Sequence, residues 1–209
     1  MRYLLNRTEL LESISRNEIL FIVDVQKSYS NFFTDNYINE LYKYSRSYDE
    51  VYQIWDNHVF GISDSNYATN PNVKAPDYID VYDMCDRENC IEKRYFYLTD
   101  RKIYDFFEDR IDNETYSMLR ETKSYKKGDS FETKEGTTVI YVENKHEWFE
   151  IPIKLQRVID NIIKTNKKVT LVGGADGECL LDISSSFDYF GLKYILDHSF
   201  IYSATNCPK

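Results

Sequence analysis

The sequence predicts an α/β fold, a three-layer sandwich in which helices cover both faces of a mainly parallel central sheet, with one insertion. Residues 19–23, 51–55 and 169–172 are continuous runs rich in β-branched and aromatic side chains. Such runs are typical of strands that are buried on both faces of a parallel sheet. Helix-like stretches separate the runs, and strands that alternate with helices favour this layered arrangement.

The clearest helix follows Pro152, where Leu155, Ile159 and Ile162 recur with a period of 3.6 residues. In chain order we predict a strand at residues 19–23, a helix after Asp35, strands at 51–55 and 138–143, the helix after Pro152, a strand at 169–172, a helix from near Cys179 toward Gly191, and a strand at 194–196.

The length of 209 residues favours one domain spanning residues 1–209. Residues 60–135 interrupt the alternation of elements. This segment is rich in Tyr and Asp, has an amphipathic stretch at 103–110 and shows no clear strand. We predict a divergent insertion that forms a lid or a surface for a partner.

Composition limits the classes of partner. Hydrophobic residues make up 42% of the chain and charged residues 29%, so a folded core is expected. The net charge of −9 opposes binding to nucleic acid or to an anionic membrane. The N-terminus is charged, and no apolar run of about eighteen residues appears, so we expect a cytoplasmic protein with a small-molecule partner. Self-association as a homo-oligomer is left open.

Two residues stand where a parallel sheet places its ligand crevice, beyond the carboxyl ends of the strands. Asp24 directly follows a buried strand and suits a general base. The structural alternative is an Asp that caps the next turn. Cys179 follows a glycine-rich turn at a predicted helix start, where helix-terminal amides favour a thiolate. Its alternative is a small, packed hydrophobic side chain.

The segments around these residues resemble the motifs of the isochorismatase and nicotinamidase superfamily of cysteine hydrolases. Residues 21–26 are similar to the family's "hydrophobic-Asp-x-Gln" signature, and residues 171–180 to its nucleophile turn. Lys145 lies after a predicted strand and shortly before an aromatic residue, as the family's lysine does. The motifs occur in the family's order, although Asp176-Gly177 stands where the family usually has Thr-Asp.

The resemblance implies a catalytic triad of Asp24, Lys145 and Cys179. Asp24 takes the thiol proton, Lys145 keeps the carboxylate ionised, and Cys179 attacks the carbonyl carbon. The backbone N–H groups of Ala175 and Cys179 receive the oxyanion, and a cis peptide bond before Ala175 is common in the family. We also expect the thiol to be partly ionised near neutral pH.

Further residues in these motifs are expected to contact the substrate or a metal. Phe32, Trp148 and Gly174 are predicted to bind the substrate. Asp56 and His58 resemble the Asp-x-His pair that binds a divalent metal in the nicotinamidase branch, with ligand types that suit zinc. That branch has a further histidine, which is missing from the matching segment here. We therefore expect no required cofactor and no tightly bound zinc.

Two functions from different classes follow. The first is a cysteine hydrolase that cleaves the C–N bond of a small amide, with nicotinamide as the best single candidate, through a thioester. The second is a catalytically inactive member of the same fold that serves as an interaction or assembly module, since a fold alone does not establish activity. The three triad residues favour the first.

Overall fold

The computed structural model describes residues 17–56, 82–93, 98–99 and 103–203. The strands are β1 (Glu18–Val23), β2 (Glu50–Asp56), β3 (Cys90–Lys93), β4 (Leu98–Thr99), β5 (Ser130–Glu132), β6 (Thr138–Val142), β7 (Glu147–Glu150), β8 (Lys168–Gly173) and β9 (Ile195–Ile201). The helices are α1 (Asp35–Ser45), α2 (Ile103–Phe107), α3 (Asn113–Glu121), α4 (Ile153–Thr165) and α5 (Cys179–Tyr189).

Five of the strands form a parallel sheet in the order β3-β2-β1-β8-β9. The central strand β1 pairs with β2 and β8, and Val23 lies opposite Ile54 on one side and Gly173 on the other. All of its residues after Glu18 are buried. The predicted strands 19–23, 51–55 and 169–172 are therefore confirmed as three neighbouring strands of one sheet.

Alternate residues of β1 enter two different hydrophobic cores because successive side chains of a strand point to opposite faces. Phe21 packs in the core that also contains Leu155 of α4 and Ile183 of α5. Ile22 packs in the core that contains Leu41 of α1. Helices thus cover both faces of the parallel sheet, and the predicted three-layer arrangement is confirmed.

A second, antiparallel sheet has the order β4-β7-β6-β5. Ile140 on β6 faces the core shared with α4 and α5, whereas Val139 packs with residues of α2 and α3, such as Phe107 and Leu119. This sheet therefore extends the main core and covers a smaller core of its own.

The prediction that residues 60–135 have no clear strand is wrong. Strands β3, β4 and β5 lie in this segment, and β3 is an edge strand of the parallel sheet. The strand predicted at 138–143 exists, but it belongs to the antiparallel sheet. The missed strands have two to four residues, which is too short for a periodic pattern to emerge. Residues 60–81, 94–97 and 100–102 of the predicted insertion lie outside the described residues.

Each helix in the described ranges falls short of the length and apolar character that a membrane span requires.

Candidate active site

The carboxyl ends of β1, β2 and β3 bring three charged side chains together. Asp24 directly follows β1, Asp56 is the last residue of β2, and Lys93 is the last residue of β3. Cys179 is the first residue of α5, which follows β8 through a short turn. Because the strands are parallel and adjacent, their carboxyl ends meet at one edge of the sheet, which is where the sequence predicts the site.

The backbone of Asp24 is fixed from two sides. Its N–H donates to the carbonyl oxygen of Ile54 at 2.8 Å, and its own carbonyl oxygen accepts from the hydroxyl of Tyr202 at 2.8 Å. Its φ angle of 52° lies in the left-handed region, which ends the strand abruptly. The side chain is almost fully buried, so Asp24 is held on a rigid element.

Lys93 supplies the positive charge of the site. Its Nζ lies 2.9 Å from Oδ2 of Asp24 and 3.6 Å from Oδ2 of Asp56, and its side chain is fully buried. Burial alone lowers the pKa of a lysine, but the surrounding acidic groups raise the pKa of Lys93 well above its usual value. The side chain is therefore an ammonium ion at neutral pH.

The thiol of Cys179 reaches the same cluster. Its Sγ and carboxylate oxygens of Asp24 and Asp56 all lie within 4.8 Å of one another. Burial, opposed by Lys93 and reinforced by Asp56, raises the pKa of Asp24 to about 6. Burial and the charge of Asp24 raise the pKa of Cys179 well above its usual value.

At neutral pH the resting pair is therefore a carboxylate beside a neutral thiol. The expectation of a partly ionised Cys179 is wrong, because burial and the neighbouring carboxylate oppose the thiolate more than the ammonium of Lys93 favours it. Proton transfer from the thiol to Asp24 leaves the net charge of the cluster unchanged. The cluster thus suits a nucleophile that an internal base activates.

Lys145, the lysine predicted from sequence, pairs with different acidic groups. Its Nζ lies 3.0 and 3.1 Å from the two carboxylate oxygens of Asp182, 3.3 Å from Glu147 and 3.7 Å from Glu178. Lys93, not Lys145, forms the ion pair with Asp24. The physical reason is that Lys145 follows β6 of the antiparallel sheet, so it does not stand at a strand end of the parallel sheet.

The turn between β8 and α5 requires its glycines. Gly173 has a φ of 99°, and a Cβ there would lie 2.1 Å from the carbonyl oxygen of Val23. A Cβ at Gly174 would lie 2.7 Å from the carbonyl oxygen of Tyr202. The peptide bond between Gly174 and Ala175 is cis, as the family resemblance implies. Small residues therefore let the end of β8 pack directly against β1 and let the turn that follows pack against Tyr202.

The same turn presents the predicted oxyanion donors. The carbonyl oxygen of Ala175 accepts hydrogen bonds from the N–H groups of Glu178 at 3.0 Å and Leu180 at 3.3 Å, so the turn folds back on the start of α5. Within the part of the chain that the structure describes, neither the N–H of Ala175 nor that of Cys179 donates to a protein acceptor. Both remain candidates to bind an oxyanion.

Two polar side chains that were not among the predicted site residues fix the position of Asp56, and one of them, Gln26, is the glutamine of the signature at residues 21–26. Gln26 hydrogen-bonds to the backbone of Asp56 twice, with Nε2 donating to the carbonyl oxygen and Oε1 accepting from the N–H, both at 2.9 Å. The hydroxyl of Tyr29 donates to Oδ2 of Asp56 at 3.1 Å. Gln26 thus ties the segment after β1 to the end of β2, which explains the glutamine two residues after Asp24.

The three predicted substrate-binding residues have different surroundings. Phe32 is half-buried and stacks on Tyr202, whose hydroxyl binds the backbone of Asp24, so it lies close to the site. Gly174 is part of the turn that precedes the nucleophile. Trp148 is 2% exposed and packs in the small core against Tyr125 and other aromatic residues. The prediction for Trp148 is therefore wrong, since β7 directs this side chain into the core of the antiparallel sheet.

The described residues do not fit a zinc site. Asp24, Asp56 and Cys179 offer three ligand atoms in a small volume, but the ammonium of Lys93 already lies against both carboxylates. A divalent ion there would meet that positive charge at close range, and this repulsion opposes its binding. His58, the other predicted ligand, lies outside the described residues.

Comparisons of the chain with protein-family models, with curated proteins and with solved structures found no match. The basis for a proposed function is therefore the chemistry of the site.

Proposed function

We propose that this protein is a cysteine hydrolase that cleaves the C–N amide bond of a small molecule through a thioester, with Asp24, Lys93 and Cys179 as its catalytic residues. One observation carries the proposal. The thiol of Cys179, at the start of a helix, lies within 4.8 Å of the buried carboxylate of Asp24, and a buried ammonium lies 2.9 Å from that carboxylate. This is a nucleophile, a base and a counter-charge in one cluster.

The first step is the transfer of the thiol proton to Asp24 as sulfur attacks the carbonyl carbon. A base whose pKa of about 6 lies just below neutral pH is mostly ionised, yet holds a proton well enough to return it. Before transfer the negative charge is on Asp24, and afterwards it is on the sulfur. Lys93 remains positive in both states, so it stabilises the charge on either group.

The tetrahedral intermediate places its negative charge on the former carbonyl oxygen. The N–H groups of Ala175 and Cys179, at the start of α5, are the donors available for this oxygen. Protonated Asp24 then donates its proton to the leaving nitrogen, and ammonia or an amine departs. Asp24, ionised again, activates the water that hydrolyses the thioester on Cys179.

Aromatic side chains near the site favour a planar substrate. The rings of Tyr29 and Phe32 lie 6.2 Å apart, and Phe32 stacks on Tyr202 at an interplanar angle of 10°. Tyr29 also binds Asp56, so this aromatic surface adjoins the acidic cluster. A small aromatic carboxamide, with nicotinamide as the first candidate, suits such a surface.

The test is release of ammonia from nicotinamide, benzamide and acetamide by the wild type and by the Cys179→Ala and Asp24→Asn variants. We expect turnover by the wild type, faster for the aromatic amides, and none by either variant. Hydroxylamine added to the wild type should divert the acyl group to a hydroxamate, because it attacks the thioester in place of water. If the folded wild type forms neither ammonia nor hydroxamate, the proposal fails and the interaction module becomes the better hypothesis.

A further inference from the structure

Two cysteines lie together away from the proposed active-site thiol. The Sγ atoms of Cys85 and Cys90 are 3.6 Å apart, and neither residue is in a disulfide. Cys90 is the first residue of β3, and Cys85 belongs to the segment that leads into this strand. The sequence spacing alone did not indicate a pair, since four residues lie between the two positions.

The two thiols differ in accessibility. Cys85 is half-buried and lines a cavity of about 410 Å³, whereas Cys90 is 9% exposed and lies behind it. The S–H of Cys85 donates to Oε1 of Gln53 at 3.3 Å, which holds the thiol at the cavity wall. A small reagent can therefore reach Cys85 first, with Cys90 in position to react with the product.

The charge of the cavity restricts the reagent. Four acidic residues line it, opposed by a single arginine: Asp49, Glu50, Asp83, Asp86 and Arg46. Such a lining attracts cationic molecules and repels anionic ones. The reagent that fits is a small disulfide that is neutral or positively charged.

We propose that Cys85 and Cys90 form a reversible dithiol–disulfide site whose oxidant is a low-molecular-weight, neutral or cationic disulfide. The thiolate of Cys85 attacks one sulfur of the reagent, the S–S bond of the reagent breaks, and one thiol leaves. The thiolate of Cys90 then attacks the sulfur of Cys85 and expels the second thiol. The two cysteines lose two electrons and two protons, and the reagent is reduced to two thiols.

Closure requires only a small local movement. A disulfide bond is about 2.0 Å long, so the sulfur atoms need to approach by about 1.6 Å from their separation of 3.6 Å. The bond would join the segment before β3 to the first residue of that strand. Because Gln53 pairs with Cys90 in the sheet and Lys93 ends the same strand, the disulfide would anchor the strand that carries Lys93.

The experiment treats the full chain with cystamine, a dicationic disulfide, in mildly alkaline buffer, and uses the anionic oxidised glutathione as the matched reagent. The alkaline buffer increases the thiolate fraction of Cys85, whose pKa is raised by the hydrogen bond with Cys90 and by burial. The products are digested without reduction and mapped by mass spectrometry. We expect a Cys85–Cys90 link that dithiothreitol reverses, formed at least about tenfold faster with cystamine than with oxidised glutathione.

Two variants separate the steps. Cys90→Ser should keep a stable cysteamine adduct on Cys85, because no second thiol displaces it, and Cys85→Ser should leave Cys90 largely unmodified. Cystamine adducts that persist on wild-type Cys85 without a link, or a link that joins Cys85 to Cys179 or Cys207, would overturn the proposal. Equal rates with the two reagents would overturn the role of the acidic cavity. None of these measurements depends on hydrolase activity.

Discussion

Replacement of Lys93 by methionine tests the central ion pair of the proposed active site. Methionine keeps much of the length and volume of the lysine stem but removes the ammonium that lies 2.9 Å from Asp24. An opposite charge at this distance lowers the pKa of a carboxyl by about 1–3 units. In the Lys93→Met variant the pKa of Asp24 should therefore rise from about 6 to near or above neutrality.

The effect on stability has a definite pH dependence. Asp24 has a pKa of about 6 in the folded wild type and an ordinary value of 3.8 in an unfolded chain, so the wild type loses stability as the pH rises between these values. In the Lys93→Met variant the stability continues to fall with rising pH until the pH reaches the higher pKa of Asp24. At about pH 7 the extra loss is about 1.4 kcal/mol, which corresponds to one pH unit, and it vanishes below about pH 6. If Asp24 stayed ionised in the variant, the buried carboxylate without its ammonium partner would lower the free energy of unfolding by about 3–5 kcal/mol instead.

The assays are urea unfolding across this pH range and the pH profile of kcat/KM for an aromatic carboxamide. We expect the acid limb of the profile, near pH 6 in the wild type because of Asp24, to move upward by at least about one unit in Lys93→Met. Turnover at neutral pH should fall about a hundredfold or more. Lys145→Met is the matched control, and its acid limb should stay with that of the wild type, since Lys145 pairs with Asp182.

The opposite pattern would refute this assignment. If Lys93→Met keeps the wild-type profile while Lys145→Met shifts the acid limb, Lys145 is the lysine that controls Asp24.

Three further predictions concern the nucleophile, the turn and a second buried carboxyl group. Wild-type Cys179 should react with iodoacetamide more slowly at neutral pH than an exposed thiol, because its pKa is raised; fast labelling in a mass-spectrometric time course would contradict this. In urea unfolding, Gly173→Ala should lower the free energy of unfolding by more than about 3 kcal/mol, because the added Cβ meets the backbone of Val23. Gly177 also has a positive φ but has open space around it, so Gly177→Ala should lower the free energy of unfolding by only about 1 kcal/mol. Burial raises the pKa of Asp182 to about 6 from 3.8, so the wild type should lose about 3 kcal/mol of unfolding free energy as the pH rises from about 4 to about 6. Asp182→Asn has no carboxyl group at this position and should lack this loss. A pH profile of unfolding that is the same in wild type and variant would contradict the burial of this charge.

The central part of the fold could be predicted from sequence because its signals are long and repeated. Strands β1, β2 and β8 have apolar residues on both faces, whereas a half-buried strand has them on one face only. In α4 the apolar residues recur every 3.6 residues. Asp24 and Cys179 could be identified for the same reason, since each directly follows such a strand or its turn. Long local patterns thus located two of the three residues of the proposed triad.

Lys93 was missed because its strand gives almost no local signal. Strand β3 has the sequence Cys-Ile-Glu-Lys, in which only Cys90 and Ile91 are apolar, and it lies inside a segment that appears irregular. Its placement depends on pairing with β2, a contact between distant parts of the chain. A buried lysine and an exposed one look alike in sequence when the acidic partners come from other strands.

Lys145 and Trp148 show the converse problem. Lys145 follows β6, a strand that the sequence predicts, and Trp148 belongs to β7, a strand that it does not predict. The pattern does not specify which sheet a strand joins, because a run of apolar residues suits either sheet. Since β6 and β7 pair with each other in the antiparallel sheet, Lys145 meets Asp182 and Trp148 enters the smaller core.

The charges of the cluster indicate when the proposed nucleophile forms. Asp24, Asp56 and Lys93 give the resting cluster one excess negative charge, and this disfavours the release of a further proton from Cys179 to solvent. Transfer of that proton to Asp24 adds no charge, so it is the less costly route to a thiolate. The thiolate then arises together with its conjugate acid, which is the group that the leaving nitrogen requires. A site of this kind keeps its thiol protonated between turnovers and protects it from alkylation and oxidation, because the reactivity of a cysteine follows its thiolate fraction.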